Sequence, residues 1–210
     1  MMDGEDTTYK IVRDFTSDDM DQITWLIYHT DLYIMQKVFG KDEKKAYGKI
    51  AKAMDLPSFF FSRDHIYGIK DPQGHLMGIL IGYTGEESKK FRITPVLKIL
   101  GFPCILRILV TGPFTLFPLV TVKIPHQSYY ISNVSVHPQF RGKGLGKVLM
   151  REALKIAEEK NCDRTLLDVS IGKDGAIALY KKMGFSITKT KKLWFSKEAT
   201  YTMEQALEKH

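Results

Sequence analysis

The chain has 210 residues, of which 44% are hydrophobic and 26% charged, and these ordinary globular values exclude a disordered, collagen-like or coiled-coil protein. Its two cysteines, Cys104 and Cys162, leave no disulfide framework and indicate a reducing compartment. The net charge is +7, and residues 88–151 hold ten Lys or Arg and no Asp or Glu, which indicates an anionic ligand or surface as a partner.

The first part of the chain predicts one strand and three helices. The strand covers residues 9–14, and Ser17 is the expected N-cap of a helix whose apolar residues recur at helical spacing. Two further helices are predicted over residues 31–39 and 43–54. Four aromatic residues of these helices either wall an acceptor pocket or fill the core: Trp25, Tyr28, Tyr33 and Phe39.

A hairpin follows, and then a segment unlike the rest of the chain. The hairpin strands cover residues 65–70 and 75–83, joined by a turn that contains Pro72 and Gly74. Residues 84–128, which we call the insertion, are apolar and basic. The apolar side chains that need cover are Val96, Leu97, Leu100, Ile105, Leu106, Leu109, Phe114, Leu116 and Phe117.

The insertion has no uncharged run long enough to cross a membrane as a helix. Its longest uncharged run, 108–122, has 15 residues and includes Pro113 and Pro118, whereas a spanning helix needs about 20 apolar residues. We expect the insertion to be buried or covered by a partner, and shallow contact with anionic lipid is the alternative.

The last part of the chain predicts strands that alternate with helices. A strand over residues 129–136 stops before Pro138, which cannot donate to a strand ladder. Next come an amphipathic helix over 145–160, a strand over 165–170, a helix over 174–183 ended by Gly184, and closing strands over 185–194 and 200–203. Hairpins combined with strand–helix–strand units predict a mixed sheet with helices on its faces, in a fold of the α/β (α+β) type.

Residues 134–147 carry the clearest chemical signal. A strand ends, a turn containing Gly142 and Gly144 follows, and a helix begins at once. The first N–H groups of a helix lack internal partners and carry positive partial charge, so this turn predicts a phosphate site. The charged residues at its rim are Arg141, Lys143 and Lys147.

Two common phosphate-binding motifs do not fit this turn. A Walker-type loop places Ser or Thr after Gly-Lys, but Val148 follows Lys147. A dinucleotide fingerprint needs a third glycine where this chain has Lys147.

Residues 141–146, Arg-Gly-Lys-Gly-Leu-Gly, resemble the Arg/Gln-x-x-Gly-x-Gly/Ala motif of the GNAT acetyltransferase superfamily. Residues 176–185, which contain Leu-Tyr-x-x-x-Gly-Phe, are similar to a helix and turn of that family. The resemblance is detailed over 129–194 and looser over 9–83. It implies one GNAT-like domain over 1–210, with a mixed, mostly antiparallel sheet of about seven strands flanked by helices.

The resemblance also implies roles for individual residues. The loop binds the pyrophosphate of acetyl-CoA through Arg141, Gly142, Lys143, Gly144, Leu145, Gly146 and Lys147. The preceding strand offers backbone amides to the thioester and pantetheine arm at Val134, Ser135 and Val136, which agrees with the need to stabilise an oxyanion. Tyr180 is the implied general acid for the departing thiolate; the other reading of Tyr180 is a ring packed on the sheet. No metal is implied.

The chain departs from the family pattern in three places. Lys173 stands where the family often has an Asn that contacts the cofactor; we expect Lys173 and Ala176 to contact it, unless Lys173 is simply solvated. The strand before the loop has no carboxylate to act as a base, so His126, His137, Asp168 and a water chain stay open as candidates. The insertion replaces a short turn, and either walls the acceptor site or forms a homodimer interface.

The resulting expectation is an N-acetyltransferase that moves an acetyl group from acetyl-CoA to a primary amine by direct attack in a ternary complex. An acyl-CoA sensor without turnover is the alternative. Nucleic-acid binding is disfavoured because no groove-reading motif accompanies the basic residues. The acidic, polar start lacks the features of a signal peptide, so a cytoplasmic location is expected. The amine acceptor stays open.

Overall fold

The computed structural model describes residues 9–101, 105–106, 124–192 and 199–207. Within them lies one seven-stranded sheet of order β1-β2-β3-β4-β5-β7-β6. Its strands are β1 (Lys10–Val12), β2 (Ile66–Lys70), β3 (Leu76–Thr84), β4 (Ser128–Val136), β5 (Arg164–Ser170), β6 (Ser186–Lys192) and β7 (Ala199–Ala206). Only the β4–β5 pair is parallel. The predicted mixed, mostly antiparallel sheet of seven strands is therefore confirmed.

Seven α-helices are found in the described residues. They are α1 (Ser17–Thr30), α2 (Leu32–Phe39), α3 (Glu43–Met54), α4 (Gly85–Ser88), α5 (Ile93–Leu100), α6 (Leu145–Glu159) and α7 (Asp174–Lys182). Helices α1, α2, α3 and α5 contribute to the apolar core on one face of the sheet. Helices α6 and α7 contribute to the core on the other face. We call these the α1 face and the α6 face.

The sequence predicts Ser17 as the N-cap of α1, but the N-cap is Thr16. The Thr16 hydroxyl accepts from the Asp19 amide at 3.3 Å, and the Asp19 carboxylate accepts from the Thr16 amide at 2.7 Å. This reciprocal pair satisfies two amides at once, which Ser17, as the first helical residue, cannot do. Lys70 of β2 binds the same carboxylate at 2.6 Å and so links the start of α1 to the sheet.

Part of the insertion joins the core on the α1 face. Helices α4 and α5 lie in it, and Val96 and Leu100 of α5 are buried in the same apolar cluster as residues of α3. Leu106 is 48% exposed. Leu109, Phe114, Leu116 and Phe117 lie outside the described residues. In the part of the chain that the structure describes, no helix is long and apolar enough to cross a membrane.

Candidate active site

The central feature of the site is a gap between β4 and β5. The two strands pair from Ser128↔Arg164 to Ile131↔Leu167, after which β4 continues to Val136 and β5 to Ser170 without pairing to each other. Parallel strands stay about 4.8 Å apart only while they are hydrogen-bonded. Beyond Ile131, one edge of the β4 backbone therefore faces an open wedge.

A bulge in β4 explains where the strands separate. Against β3, Asn133 pairs with Ile81 and Ile131 pairs with Gly82, so Ser132 is an extra residue in β4. A bulge bends its strand and increases the local twist. Because the bulge directly follows the last β4–β5 pair, it directs the end of β4 away from β5 while the β3 pairing is kept.

The three predicted thioester-binding residues lie on this free edge. The Ser135 hydroxyl donates to the Leu26 carbonyl of α1 at 3.4 Å and is buried. The side chains of Val134 and Val136 pack against the apolar cluster on the α6 face. Since all three side chains are directed to the faces of the sheet, only backbone groups can face the gap. By alternation with His137, whose N–H bonds to the Met77 carbonyl of β3, these are the groups of Val134 and Val136.

The glycine-rich turn lies at the open end of the gap and leads into α6. Gly142 and Gly144 have φ values of +79° and +78°, which favour glycine over residues that carry a Cβ. Gly144 is the N-cap of α6 and no side chain caps the helix. The turn residues 141–144 are exposed, so the uncapped start of α6 is open to an anion.

Basic side chains surround this uncapped helix start. Arg141 donates from Nε to the Val136 carbonyl at 3.1 Å, which anchors the turn to the end of β4. The Lys143 ammonium lies 5.4 Å from the centre of the Phe140 ring. Lys147 and Arg151 are exposed one turn apart on α6. Full positive charges thus reinforce the partial charge of the helix start.

A close approach between helices fixes where α7 passes the turn. A Cβ added at Gly146 would lie 3.3 Å from the Leu179 side chain, so glycine lets the start of α6 and the middle of α7 pack tightly. Leu145 is buried on the same α6-face cluster that Ala176 and Tyr180 of α7 pack against. Tyr180 is therefore on the helix nearest the turn.

The Tyr180 side chain is partly buried, with its ring centre 6.1 Å from that of Phe185. Burial raises the pKa of Tyr180 above its ordinary value, because removal from water disfavours the phenolate. The hydroxyl consequently keeps its proton at neutral pH, which is the state that a general acid needs.

Lys173, the N-cap of α7, reaches to the other side of the sheet. Its ammonium donates to the Thr30 carbonyl at 3.2 Å and to Asp31 Oδ2 at 3.3 Å, at the junction of α1 and α2. Lys173 is exposed, and its two polar contacts direct the ammonium to the junction of α1 and α2.

Asp168 is the first β5 residue beyond the last β4–β5 pair, and it is held by three side chains. Its carboxylate accepts from the Tyr130 hydroxyl at 3.2 Å, the Lys191 ammonium at 2.7 Å and the Thr202 hydroxyl at 2.6 Å. Its neighbours Leu167 and Val169 face α6, so Asp168 faces the α1 side. Burial keeps the pKa of the Tyr130 hydroxyl well above its ordinary value.

The partners of Asp168 were not singled out from the sequence. Thr202 lies directly across from Asp168 in the β5–β7 register, and a sequence reveals such a pair only once the register is known. The available signal was Tyr130, a polar aromatic residue on the strand that leads into the gap.

The two histidines considered as bases lie at opposite ends of β4. His126 is exposed beside the start of β4. The His137 ring lies beyond the other end of β4, 5.2 Å from the Trp25 ring and 5.9 Å from the Phe140 ring. Its Nδ1 atom is buried and has no hydrogen-bond partner among the described residues.

Of the four aromatic residues of the first helices, two lie in the core and two are at least partly accessible. Tyr28 and Phe39 are buried in the core. Trp25 lines a groove between α1 and α3, together with Tyr47 and His137. Tyr33 is 49% exposed at the start of α2.

Comparisons with known proteins point to one family. Residues 39–185 match the model of the acetyltransferase (GNAT) family. The chain is 39% identical over 54 residues to a putative [ribosomal protein bS18]-alanine N-acetyltransferase of Bacillus subtilis, covering 26% of this chain and 36% of that protein. It is 36% identical over 75 residues to streptothricin acetyltransferase of Streptomyces lavendulae, covering 36% and 40%. The matches thus span well under half of these relatives.

Solved structures show the same fold over nearly the whole chain. An N-acetyltransferase from Staphylococcus aureus Mu50 superposes with a TM-score of 0.66 at 20% identity, covering 93% of this chain and 99% of that one. A second acetyltransferase structure gives a TM-score of 0.63 at 20% identity, covering 95% and 100%. At this identity the likeness concerns the fold. Among the described residues, no group of three or more His, Cys, Asp or Glu could hold a metal ion.

Proposed function

Because the chain belongs to the GNAT acetyltransferase family, we propose that it is an N-acetyltransferase that moves the acetyl group of acetyl-CoA to a primary amine by direct attack in a ternary complex. The observation that carries the proposal is one juxtaposition. A gap with a free backbone edge, an uncapped helix start at its open end and a partly buried tyrosine on the adjoining helix occur together.

The glycine-rich turn suits the pyrophosphate of acetyl-CoA. The amides at the start of α6 carry no side-chain cap, and a phosphate supplies the missing acceptor. Arg141, Lys143 and Lys147 add full charges beside it. Gly142 and Gly144 are glycines because of their positive φ, which would strain any residue that carries a Cβ. No atom beyond the adjacent residues lies within 4 Å of where a Cβ would be, so the space beside the turn is open.

The free edge of β4 suits the pantetheine arm and the thioester. Alternate residues of a strand direct their N–H and C=O groups away from the neighbouring strand, and beyond Ile131 the β5 backbone no longer receives them. An amide-containing arm can pair with this edge as a strand would. The His137 N–H bonds to the Met77 carbonyl of β3, so by alternation Ser135 also faces β3 while Val134 and Val136 face the gap. An N–H of Val134 or Val136 then stabilises the oxyanion that forms at the thioester carbonyl.

Tyr180 completes the transfer as the general acid. The amine nitrogen bonds to the acetyl carbon, the carbon–sulfur bond breaks with its electron pair on sulfur, and the Tyr180 hydroxyl protonates the thiolate. The raised pKa of Tyr180 keeps that proton in place at neutral pH.

Asp168 is the best placed of the three candidate bases. It follows the last β4–β5 pair and lies on the α1 face, opposite Tyr180 on the α6 face. An amine that enters from the α1 face meets the Tyr130–Asp168 pair before it reaches the gap. We propose that the proton leaving the amine passes to this pair, directly or through water.

The test is a search for turnover in a panel of amines, with calorimetric binding of acetyl-CoA measured in parallel. The panel includes small monoamines, polyamines and peptides with a free N-terminus. We expect binding, amine-dependent release of the CoA thiol and an acetylated amine detected by mass spectrometry. Tight binding without acetylation of any amine would favour the acyl-CoA sensor instead.

A further inference from the structure

The ion pair between Lys173 and Asp31 connects the two sides of the gap. Lys173 follows β5 and begins α7 on the α6 face. Asp31 follows α1, which is fastened over β4 by the Ser135–Leu26 hydrogen bond and the contact of Trp25 with His137. The Lys173 side chain therefore crosses from the β5 side of the gap to the β4 side, on the α1 face.

Helix α7 packs on the α6-face cluster through Ala176, Ile177 and Leu179, whereas residues 173–175 at its start are exposed. Of its nine residues only Ile177 is buried, and no side chain caps the helix. Its C-terminal end is fixed by hydrogen bonds from the Phe185 and Met183 amides to the Tyr180 carbonyl, both at 3.0 Å. At the N-terminal end, the Lys173 side chain makes hydrogen bonds to Thr30 and Asp31, which lie outside α7.

We propose that the Lys173–Asp31 pair is a strap that positions Tyr180. It ties the start of α7 to α1 and, together with the packing of Leu179 on Gly146, sets the distance between Tyr180, two turns along α7, and the β4 amides that face the gap. Both residues are positioning residues, since they act through Tyr180. The inference rests on the proposed function for its effect on turnover, while the tie itself can be tested without turnover.

The proposal differs from the expectation that Lys173 contacts the cofactor. The ammonium is engaged by a carbonyl and a carboxylate at the C-terminal end of α1, where the helix dipole also favours a positive charge. A cofactor contact would need Lys173 alone. A strap needs Lys173 and Asp31 equally, and this difference separates the two readings.

The variants are Lys173→Met, Asp31→Asn and the double variant, each made with Tyr180 and with Tyr180→Phe. Asn at position 31 keeps the N-cap of α2, because Asp31 Oδ1 accepts from the Ile34 amide and an Asn oxygen can do the same. Asp55→Asn is the matched control. It removes an exposed ion pair with Arg63, 2.7 Å long, that does not involve α7.

The first readout is amide hydrogen exchange in α7, which does not depend on activity. We expect exchange in residues 175–182 to accelerate several-fold in each single variant, and no further in the double variant, because removing either partner already breaks the pair. Asp55→Asn should leave α7 unchanged. Unchanged exchange in α7, or additive effects of the two substitutions, would overturn the strap.

The second readout is turnover. We expect kcat to fall about three- to tenfold in each single variant and equally in the double, since small misplacements of a catalytic group are costly. In the Tyr180→Phe background these substitutions should have no further effect, and calorimetric affinity for CoA should change less than about twofold. If Lys173→Met binds CoA more weakly while Asp31→Asn binds it as tightly as wild type, Lys173 is a cofactor contact instead. If wild type acetylates no amine, the proposed function fails, and hydrogen exchange still decides the strap.

Discussion

At the scale of single residues, two tyrosines have different hydrogen-bond environments and therefore different proposed roles. Tyr180 and Tyr130 lie on opposite faces of the sheet, and burial raises the pKa of both hydroxyls. Tyr130 donates to a carboxylate, whereas Tyr180 faces the apolar cluster beside the glycine-rich turn. One tyrosine is thus coupled to a proton acceptor and the other is placed to give a proton away.

Replacing Asp168 tests the amine side of the site. Asp168→Asn keeps the size of the side chain and its contact with Thr202 but removes the negative charge, so kcat/KM for the amine should fall about 10²-fold. Thr188→Ala is a control on the neighbouring β6 strand, where the hydroxyl donates to the Thr202 carbonyl and not to Asp168. Equal loss in both variants would indicate damage to the sheet instead of loss of a base.

Glu87 links the insertion to Lys160 at the C-terminal end of α6 and makes stability depend on pH. Burial opposes its ionisation, but Lys160 at 2.8 Å and the Thr84 amide at 2.7 Å outweigh this and lower the pKa of Glu87. A lowered pKa in the folded chain contributes stability above the unfolded value near 4.5, and that stability is lost as pH falls through the lowered value.

We therefore expect Glu87→Gln to lower Tm at pH 7 and to have little effect at pH 3. Glu86→Gln is the control, because Glu86 is exposed and directly precedes Glu87. It should change Tm little at either pH. Thermal unfolding followed by circular dichroism measures both. A Tm difference between wild type and Glu87→Gln that persists unchanged at pH 3 would contradict the assigned ion pair.

At the scale of elements, Gly144 serves both the shape of the turn before α6 and the proposed phosphate site. Gly144 needs a positive φ and also begins the helix whose amides are proposed to bind phosphate. Gly144→Ala should lower stability by about 1 kcal/mol and also weaken acetyl-CoA binding. Gly74→Ala is the matched control, since Gly74 also has a positive φ, +88°, with nothing within 4 Å, but lies in the β2–β3 turn.

Calorimetric titration with acetyl-CoA distinguishes the two requirements of Gly144. We expect both glycine variants to lose similar stability and only Gly144→Ala to bind acetyl-CoA more weakly. Equal affinity in the two variants would mean that the turn before α6 does not contact the phosphates.

The elements could largely be predicted from the sequence, whereas the side-chain partners could not. Helix α3 is predicted at its observed bounds because its cap and apolar spacing are local signals. The gap depends on Ser132 being a bulge, and a bulge is defined only by the pairing of β4 with β3. The Asp168–Thr202 and Lys173–Asp31 contacts join residues 34 and 142 positions apart, and no local pattern indicates them.

At the scale of the whole molecule, part of the uneven charge is gathered around the start of α6. Four of the ten basic residues in 88–151 lie at the turn or on α6: Arg141, Lys143, Lys147 and Arg151. If they attract a polyanionic cofactor, acetyl-CoA affinity should fall as ionic strength rises. Titrations at low and high salt measure this, and an affinity independent of salt would contradict a role for these charges.

We propose that the gap and Tyr180 together form an acetyl-transfer site. The most direct measurement is the rate of amine-dependent CoA thiol release by wild type, Tyr180→Phe and Tyr201→Phe at saturating acetyl-CoA. Tyr201 is a partly buried tyrosine on the same α6-face cluster, so its variant controls for the loss of a hydroxyl. If Tyr180 is the general acid, kcat falls about 10²-fold in Tyr180→Phe and stays near wild type in Tyr201→Phe. Equal turnover in wild type and Tyr180→Phe would contradict it.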